Sequence, residues 1–179
     1  MKIIDTPLSD LKILHSDLIS DRRGAFQKIF NESSFKDSKL RTDFKEFYYS
    51  ISHKHVIRGL HFQNPPHEHV KLVFVTQGEI LDVVLDIRKN SFTYGHVFST
   101  ILNDSNEQAL YIPEGFAHGF LSLKNDTIVN YMQTSVYNKD SDTGIHYRSI
   151  DFGWNNVQSP IVSERDQSFI SFKQFKSPF

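Results

Sequence analysis

The chain has 179 residues, no cysteine, and 20 lysine plus arginine against 21 aspartate plus glutamate, a formal net charge of −1. That length suits one compact domain with its own core, and the missing cysteine excludes disulfides, thiolate metal sites and a cysteine nucleophile while pointing to a reducing compartment. Near-balanced charge excludes a global field that would recruit nucleic acid or an acidic membrane surface, so an anionic ligand must be met by placed local groups.

From Met1 to Lys12 charged and apolar residues are mixed, without the apolar run of a signal peptide or a membrane span, and a cytoplasmic protein is expected. Sixteen phenylalanines and seven tyrosines lean the composition toward β structure. In chain order, residues 12–19, 25–30, 45–52, 56–62, 70–76, 79–88, 94–102, 108–112, 116–123 and 127–137 read as strands separated by turn residues. The clearest runs from Ile80 to Arg88, where Leu81, Val83, Leu85 and Ile87 alternate with Asp82, Val84, Asp86 and Arg88, giving one core face and one partly polar face. Gly78, Asn90, Gly95, Asn103-Asp104 and Asn125-Asp126 punctuate the runs. Helix is expected only at Ser33–Leu40 and near Ser163–Ile170, each opened by a serine. No linker or repeat divides the chain, so residues 1–179 are expected to form one domain, with the segment from about 138 to 179 packed on it. Many short antiparallel strands with few helices imply a jelly roll or related closed barrel whose mouth can hold a small ligand.

Histidines gather on or beside these strands: His53, His55, His61, His67, His69 and His118. Pro113-Glu114-Gly115-Phe116-Ala117-His118 resembles the second motif of the cupin superfamily, and His67-Glu68-His69 resembles the histidine pair of its first. Where that superfamily's glutamate ligand is expected, Val73 and Phe74 stand instead. A three-histidine metal site on His67, His69 and His118 remains one reading.

The strings DRRGAF (21–26), VIRGLHFQ (56–63), KLVFVTQGEILDVVLDIRKNSFTYG (71–95) and YIPEGFAHGF (111–120), with the spaced Tyr131 and Tyr137, resemble the dTDP-4-dehydrorhamnose 3,5-epimerase family in order and spacing. The resemblance implies a cupin-type jelly roll, a homodimer, no cofactor or metal, and a nucleotide-diphosphate 4-keto sugar as substrate, in the supply of surface polysaccharides. It assigns His61 as general base, Asp166 as the carboxylate that orients it, Lys71 to the developing enolate and Tyr131 as acid on the opposite face. Those residue types suit the reaction. A ketone at carbon 4 acidifies carbons 3 and 5, inversion needs a base and a proton donor on opposite faces, and the enolate needs a cation. By the same resemblance Arg23 and Arg58 fall at the family's phosphate-contact positions, Phe26 is expected near the nucleotide, and Gln63, His118 and Tyr137 are expected around the substrate.

The chain departs from the family where the base is read. Glu46 and Tyr48 stand at positions of a Gln-x-Asn pattern, and Lys28 stands for a glutamate. Amides and carboxylates present different donor and acceptor patterns, so a GDP-linked heptose is carried beside a thymidine-linked hexose. A metal-dependent cupin enzyme and a non-catalytic nucleotide-sugar binding module are the competing readings.

Overall fold

The computed structural model describes residues 1–179, the Asn156 side chain excepted. Its strands are β1 (Lys2–Asp5), β2 (Lys12–His15), β3 (Leu18–Asp21), β4 (Gly24–Gln27), β5 (Glu46–Ser52), β6 (Ile57–Gln63), β7 (Lys71–Gln77), β8 (Glu79–Asp86), β9 (Val97–Asn103), β10 (Gln108–Ile112), β11 (Phe116–Ser122), β12 (Thr127–Gln133) and β13 (Asp142–Gly144). Two short helices, α1 (Glu32–Asp37) and α2 (Glu164–Gln167), and 3₁₀ turns at Tyr147–Ser149, Trp154–Asn156 and Phe172–Gln174 complete it. One sheet runs β1-β2-β10-β7-β12-β5, the other β13-β6-β11-β8-β9, and β3-β4 form a separate hairpin. The paired strands are antiparallel, and the two sheets close over a shared core as a cupin-type jelly roll. Among the described residues no helix is long and apolar enough to cross a membrane.

Three apolar layers hold this arrangement. Between the sheets lie Val73, Val75, Ile80, Val84, Leu110, Phe120 and Val129. Outside the six-stranded sheet, Leu72 and Tyr111 pack under Phe35 of α1, with Phe30 and Phe44 edge-on to Phe35. A six-residue helix is marginal alone; Asn31 caps it by accepting from Ser34 N–H, and burial of Phe35 fixes it. Outside the five-stranded sheet, Leu81, Val83, Leu85 and Ile87 meet Tyr147, Ile150 and Trp154, with Phe172, Phe175 and Phe179 alongside. Each such fully buried side chain contributes roughly 1.5–3 kcal/mol.

This layering corrects the reading of Ile80–Arg88. The purely apolar face lies under the C-terminal segment, and the face carrying Asp82 and Val84 is the barrel interior; almost the whole of β8 is buried. Other expectations shift as well. The strand expected at 12–19 breaks into β2 and β3 at Ser16-Asp17, where Ser16 N–H turns to Glu107. The one expected at 127–137 ends at Gln133, because Thr134 bonds Val70 and the polar run leaves the sheet. The strand expected from 94 begins at Val97, since Ser91 and Thr93 fold back to bond Asp86. The expected first helix starts after Asn31, not at Ser33, and the second spans Glu164–Gln167 behind its Ser163 cap. Strands β1 and β13 were not anticipated.

One irregularity places the site. Across β6 and β11, His61 pairs with His118 and Arg58 with Phe120, so three steps on β6 match two on β11. Residues three apart on a regular strand face opposite ways; the extra residue of this bulge brings both Arg58 and His61 to the barrel interior. Gly59 sits in the bulge at φ +123°, and a Cβ there would lie 2.6 Å from Gly119 Cα and 2.8 Å from His118 O. Both glycines belong to the strings read above, and both permit the close backbone approach. Gly59→Ala is expected to destabilise the fold by about 3 kcal/mol or more, measurable by urea denaturation; a loss under about 1 kcal/mol would show that the bulge relaxes freely.

Candidate active site

A cavity of about 390 Å³ opens between the sheets, lined among others by Tyr48, Arg58, His61, Lys71, His118 and Tyr131. The five-stranded sheet supplies Arg58, His61 and His118, and the six-stranded sheet supplies Tyr48, Lys71 and Tyr131. An imidazole and a phenol therefore enter one space from opposite walls.

His61 Nε2 lies 2.8 Å from Asp166 Oδ1, and the other carboxylate oxygen accepts the Gly59 N–H at 2.9 Å. Asp166 is buried, and burial pushes its carboxyl up; the bonds from His61, Gly59 and Ser163 outweigh that and hold it below the usual carboxylate range. It stays ionised, so the imidazole nitrogen facing it carries a proton and the other is left as an acceptor. Asp166 arrives on α2, whose Ser163 cap accepts the Asp166 N–H. His118 has a similar partner within the barrel, its Nε2 2.8 Å from the buried Asp82 Oδ2.

Lys71 opens β7, buried, with Nζ donating to His61 O at 3.1 Å. Burial depresses its pKa to about 8 against the raising influence of Asp142 and Asp82. Tyr131 is 7 % exposed, its hydroxyl 3.3 Å from Ser50 Oγ and its ring stacked on Tyr48. Burial raises its pKa, so the phenol keeps its proton at neutral pH.

Gln63 and Tyr137 also line the cavity. Gln63 donates to His67 O at 2.7 Å and accepts the Asn138 N–H at 2.7 Å, tying the strand to the loop that carries Tyr137. Glu46 lies at the rim, where its Oε1 accepts the Tyr137 N–H at 3.0 Å. Arg23, Phe26 and Lys28 are not brought to this cavity: Arg23 and Phe26 sit on the exposed β3–β4 hairpin, where Arg23 is paired with Asp21, and Lys28 follows it. Sequence reasoning missed Ser50, Asp82, Gln133, Asp142 and Arg165, which reach the site through strand register or, for Arg165, through an ion pair to Asp142 at 2.6 Å. Asp82 carried a signal, as a carboxylate flanked by apolar residues in the middle of a strand.

The three-histidine reading is not favoured by the geometry. Among the described residues no group of three or more His, Cys, Asp or Glu side chains is placed to hold a metal ion. His118 is held by Asp82, and His69, buried beside the Lys71 charge, is pushed well below the ordinary histidine value.

A jelly roll that sets a carboxylate-steered imidazole against a buried phenol, with an ammonium alongside, is built for proton transfer to and from carbon and defines an acid–base isomerase. A family profile described as dTDP-4-dehydrorhamnose 3,5-epimerase matches residues 5–174. The chain is 41% identical over 172 residues to the dTDP-4-dehydrorhamnose 3,5-epimerase of Methanothermobacter thermautotrophicus, covering 94% of this chain and 92% of the relative. Against the Escherichia coli K12 enzyme of that name it is 36% identical, covering 97% and 96%. Among solved structures, the Bacillus anthracis enzyme with TDP and PPi bound superposes with a TM-score of 0.92 at 36% identity, covering 95% and 98%. The dTDP-6-deoxy-D-glucose-3,5-epimerase of Legionella pneumophila, in complex with dTDP-4-keto-L-rhamnose, superposes with 0.93 at 33%, covering 98% and 94%. The chain belongs to the dTDP-4-dehydrorhamnose 3,5-epimerase family and is an epimerase.

The buried ammonium carries a stability consequence. A base whose folded pKa lies near 8, below its unfolded value, opposes folding while it is charged; the penalty is complete below about pH 8 and disappears as pH rises past 10.5. Lys71→Met is therefore expected to stabilise the fold at pH 7 by roughly 3 kcal/mol and to have little effect at pH 11, read from denaturant midpoints at the two pH values.

Proposed function

We propose that the substrate is a nucleotide-diphosphate 4-keto sugar, thymidine-linked, whose carbon 3, carbon 5 or both are inverted. The observation that carries this is the entry of His61 and Tyr131 into one cavity from opposite sheets. His61 removes the proton next to the ketone, the bonding electrons move to the carbon 4 oxygen, and the Lys71 ammonium stabilises the charge gathered there. Tyr131 returns a proton to the opposite face; its phenolate then regains one from solvent while the protonated His61 gives its own up to solvent. Arg58 and Arg165 at the cavity wall meet the diphosphate.

The thymidine assignment is supported by the ligands named for the Bacillus and Legionella relatives. Two of the substituted positions do not argue against it, because Glu46 commits an oxygen to Tyr137 N–H and the Tyr48 hydroxyl accepts from Gln133 Nε2 at 2.6 Å. In deuterated water, a thymidine-linked 4-keto hexose should take up deuterium at carbon 3 or 5 faster than a GDP-linked 4-keto heptose. His61→Asn and Tyr131→Phe should slow exchange by about 10²–10⁴-fold. No incorporation with either nucleotide overturns the assignment, and faster exchange with the guanosine sugar reverses the choice of base.

The working unit of this proposal is a homodimer. Strand β5 is an open sheet edge whose outward Phe47, Tyr49 and Ile51 are each more than half exposed, and Ile19 and Phe26 protrude from the hairpin. Contiguous apolar exposure of this kind marks an association surface, and a second copy seated there would bring Arg23, Phe26 and Lys28 to a cavity that their own chain denies them. Phe47→Asp combined with Tyr49→Asp is expected to yield a monomer in sedimentation equilibrium with much weakened substrate binding; a doubly substituted protein that still sediments as a dimer refutes this surface.

A further inference from the structure

Within the epimerase reading, we infer that Tyr48 is a positioning residue that holds the Tyr131 phenol in line for protonation, and so decides how often the enolate inverts instead of returning to starting sugar. Tyr48 and Tyr131 are direct cross-strand partners on β5 and β12. Their rings stack with centroids 4.8 Å apart and planes 16° from parallel. Tyr48 is itself fixed, since Gln133, two residues along β12 from Tyr131 and buried, donates to its hydroxyl at 2.6 Å. Ser50, two residues along β5, holds the Tyr131 hydroxyl at 3.3 Å. The phenol is thus clamped on its ring face by one side chain of β5 and at its oxygen by the next on the same face.

That clamp matters because the enolate has two fates. The protonated His61 can hand a proton back to the face it came from, or Tyr131 can deliver one to the other face, leaving a phenolate. The first restores substrate and the second gives product, so their ratio reports where the phenol stands. A ring free to pivot spends less time within reach of the carbon, and transfer to that face slows while proton removal by His61 does not. An asparagine at position 48 could not stack in this way.

The experiment follows initial-rate turnover of a thymidine-linked 4-keto hexose in deuterated water and compares deuterium in recovered substrate with deuterium in inverted product. Tyr48→Asn and Tyr48→Leu should raise the recovered-to-product ratio roughly 3- to 10-fold, the factor that the worth of an aromatic pair converts to, with KM little changed. Tyr48→Phe keeps the stack but loses the Gln133 bond, and should hold the ratio nearer to wild type than either of those variants. General loosening of the fold would lower both fates together and leave the ratio unmoved, so a wild-type ratio in the Asn and Leu variants overturns the inference whatever their rates. Should the Asn variant fail to fold, the Leu variant decides alone. Wild-type protein that incorporates no deuterium overturns the epimerase chemistry and this inference with it; wild-type exchange with an unmoved ratio overturns only the inference.

Discussion

The site depends on one carboxylate doing two jobs. Asp166 takes the N–H that the β6 bulge exposes at Gly59 and, with its other oxygen, the imidazole of His61. A bulge amide left without a partner in a buried place would cost on the order of 1–3 kcal/mol, so the group that satisfies the backbone is also the group that sets the imidazole's tautomer. Backbone geometry and side-chain placement are coupled at that point: the bulge turns Arg58 and His61 to one side, and the carboxylate that satisfies the bulge also fixes the imidazole.

Around this anchor the barrel interior is polar in pairs. His61 and His118 stand opposite each other across β6 and β11, each with its own aspartate, one from α2 and one from β8. Among the described residues Lys71 is buried with no ion-pair partner within 4 Å, and its ammonium donates to the His61 carbonyl. Its depressed pKa is the mark of a group kept at a cost to stability in a low-dielectric space. Such groups concentrate where charge develops during a reaction. The apolar layers on both outer faces of the sheets keep solvent from reaching that space through the walls.

Much of the strand pattern was legible because alternation and turn residues are local properties. Strand β8 shows the limit: its alternation located the strand, yet could not say which face looked inward, since the C-terminal segment covers the more apolar one. β1 and β13 were invisible because Lys2–Asp5 and Asp142–Gly144 are too short to establish a period. In the site, His61, Lys71, Tyr131 and Asp166 were named through family resemblance and not through spacing. Ser50, Gln133 and Asp142 were not named, because their place follows from cross-strand register, which a single sequence does not display. One signal was present and unread: a glycine inside the strand-like run VIRGLHFQ, of the kind that marks a bulge.

His61 and Asp166 lie 105 residues apart in the chain. Synthesis from the N-terminus therefore delivers the imidazole, the lysine and the phenol well before the carboxylate that pairs with the imidazole and takes the Gly59 N–H. The pairing closes only when α2 is seated against β6.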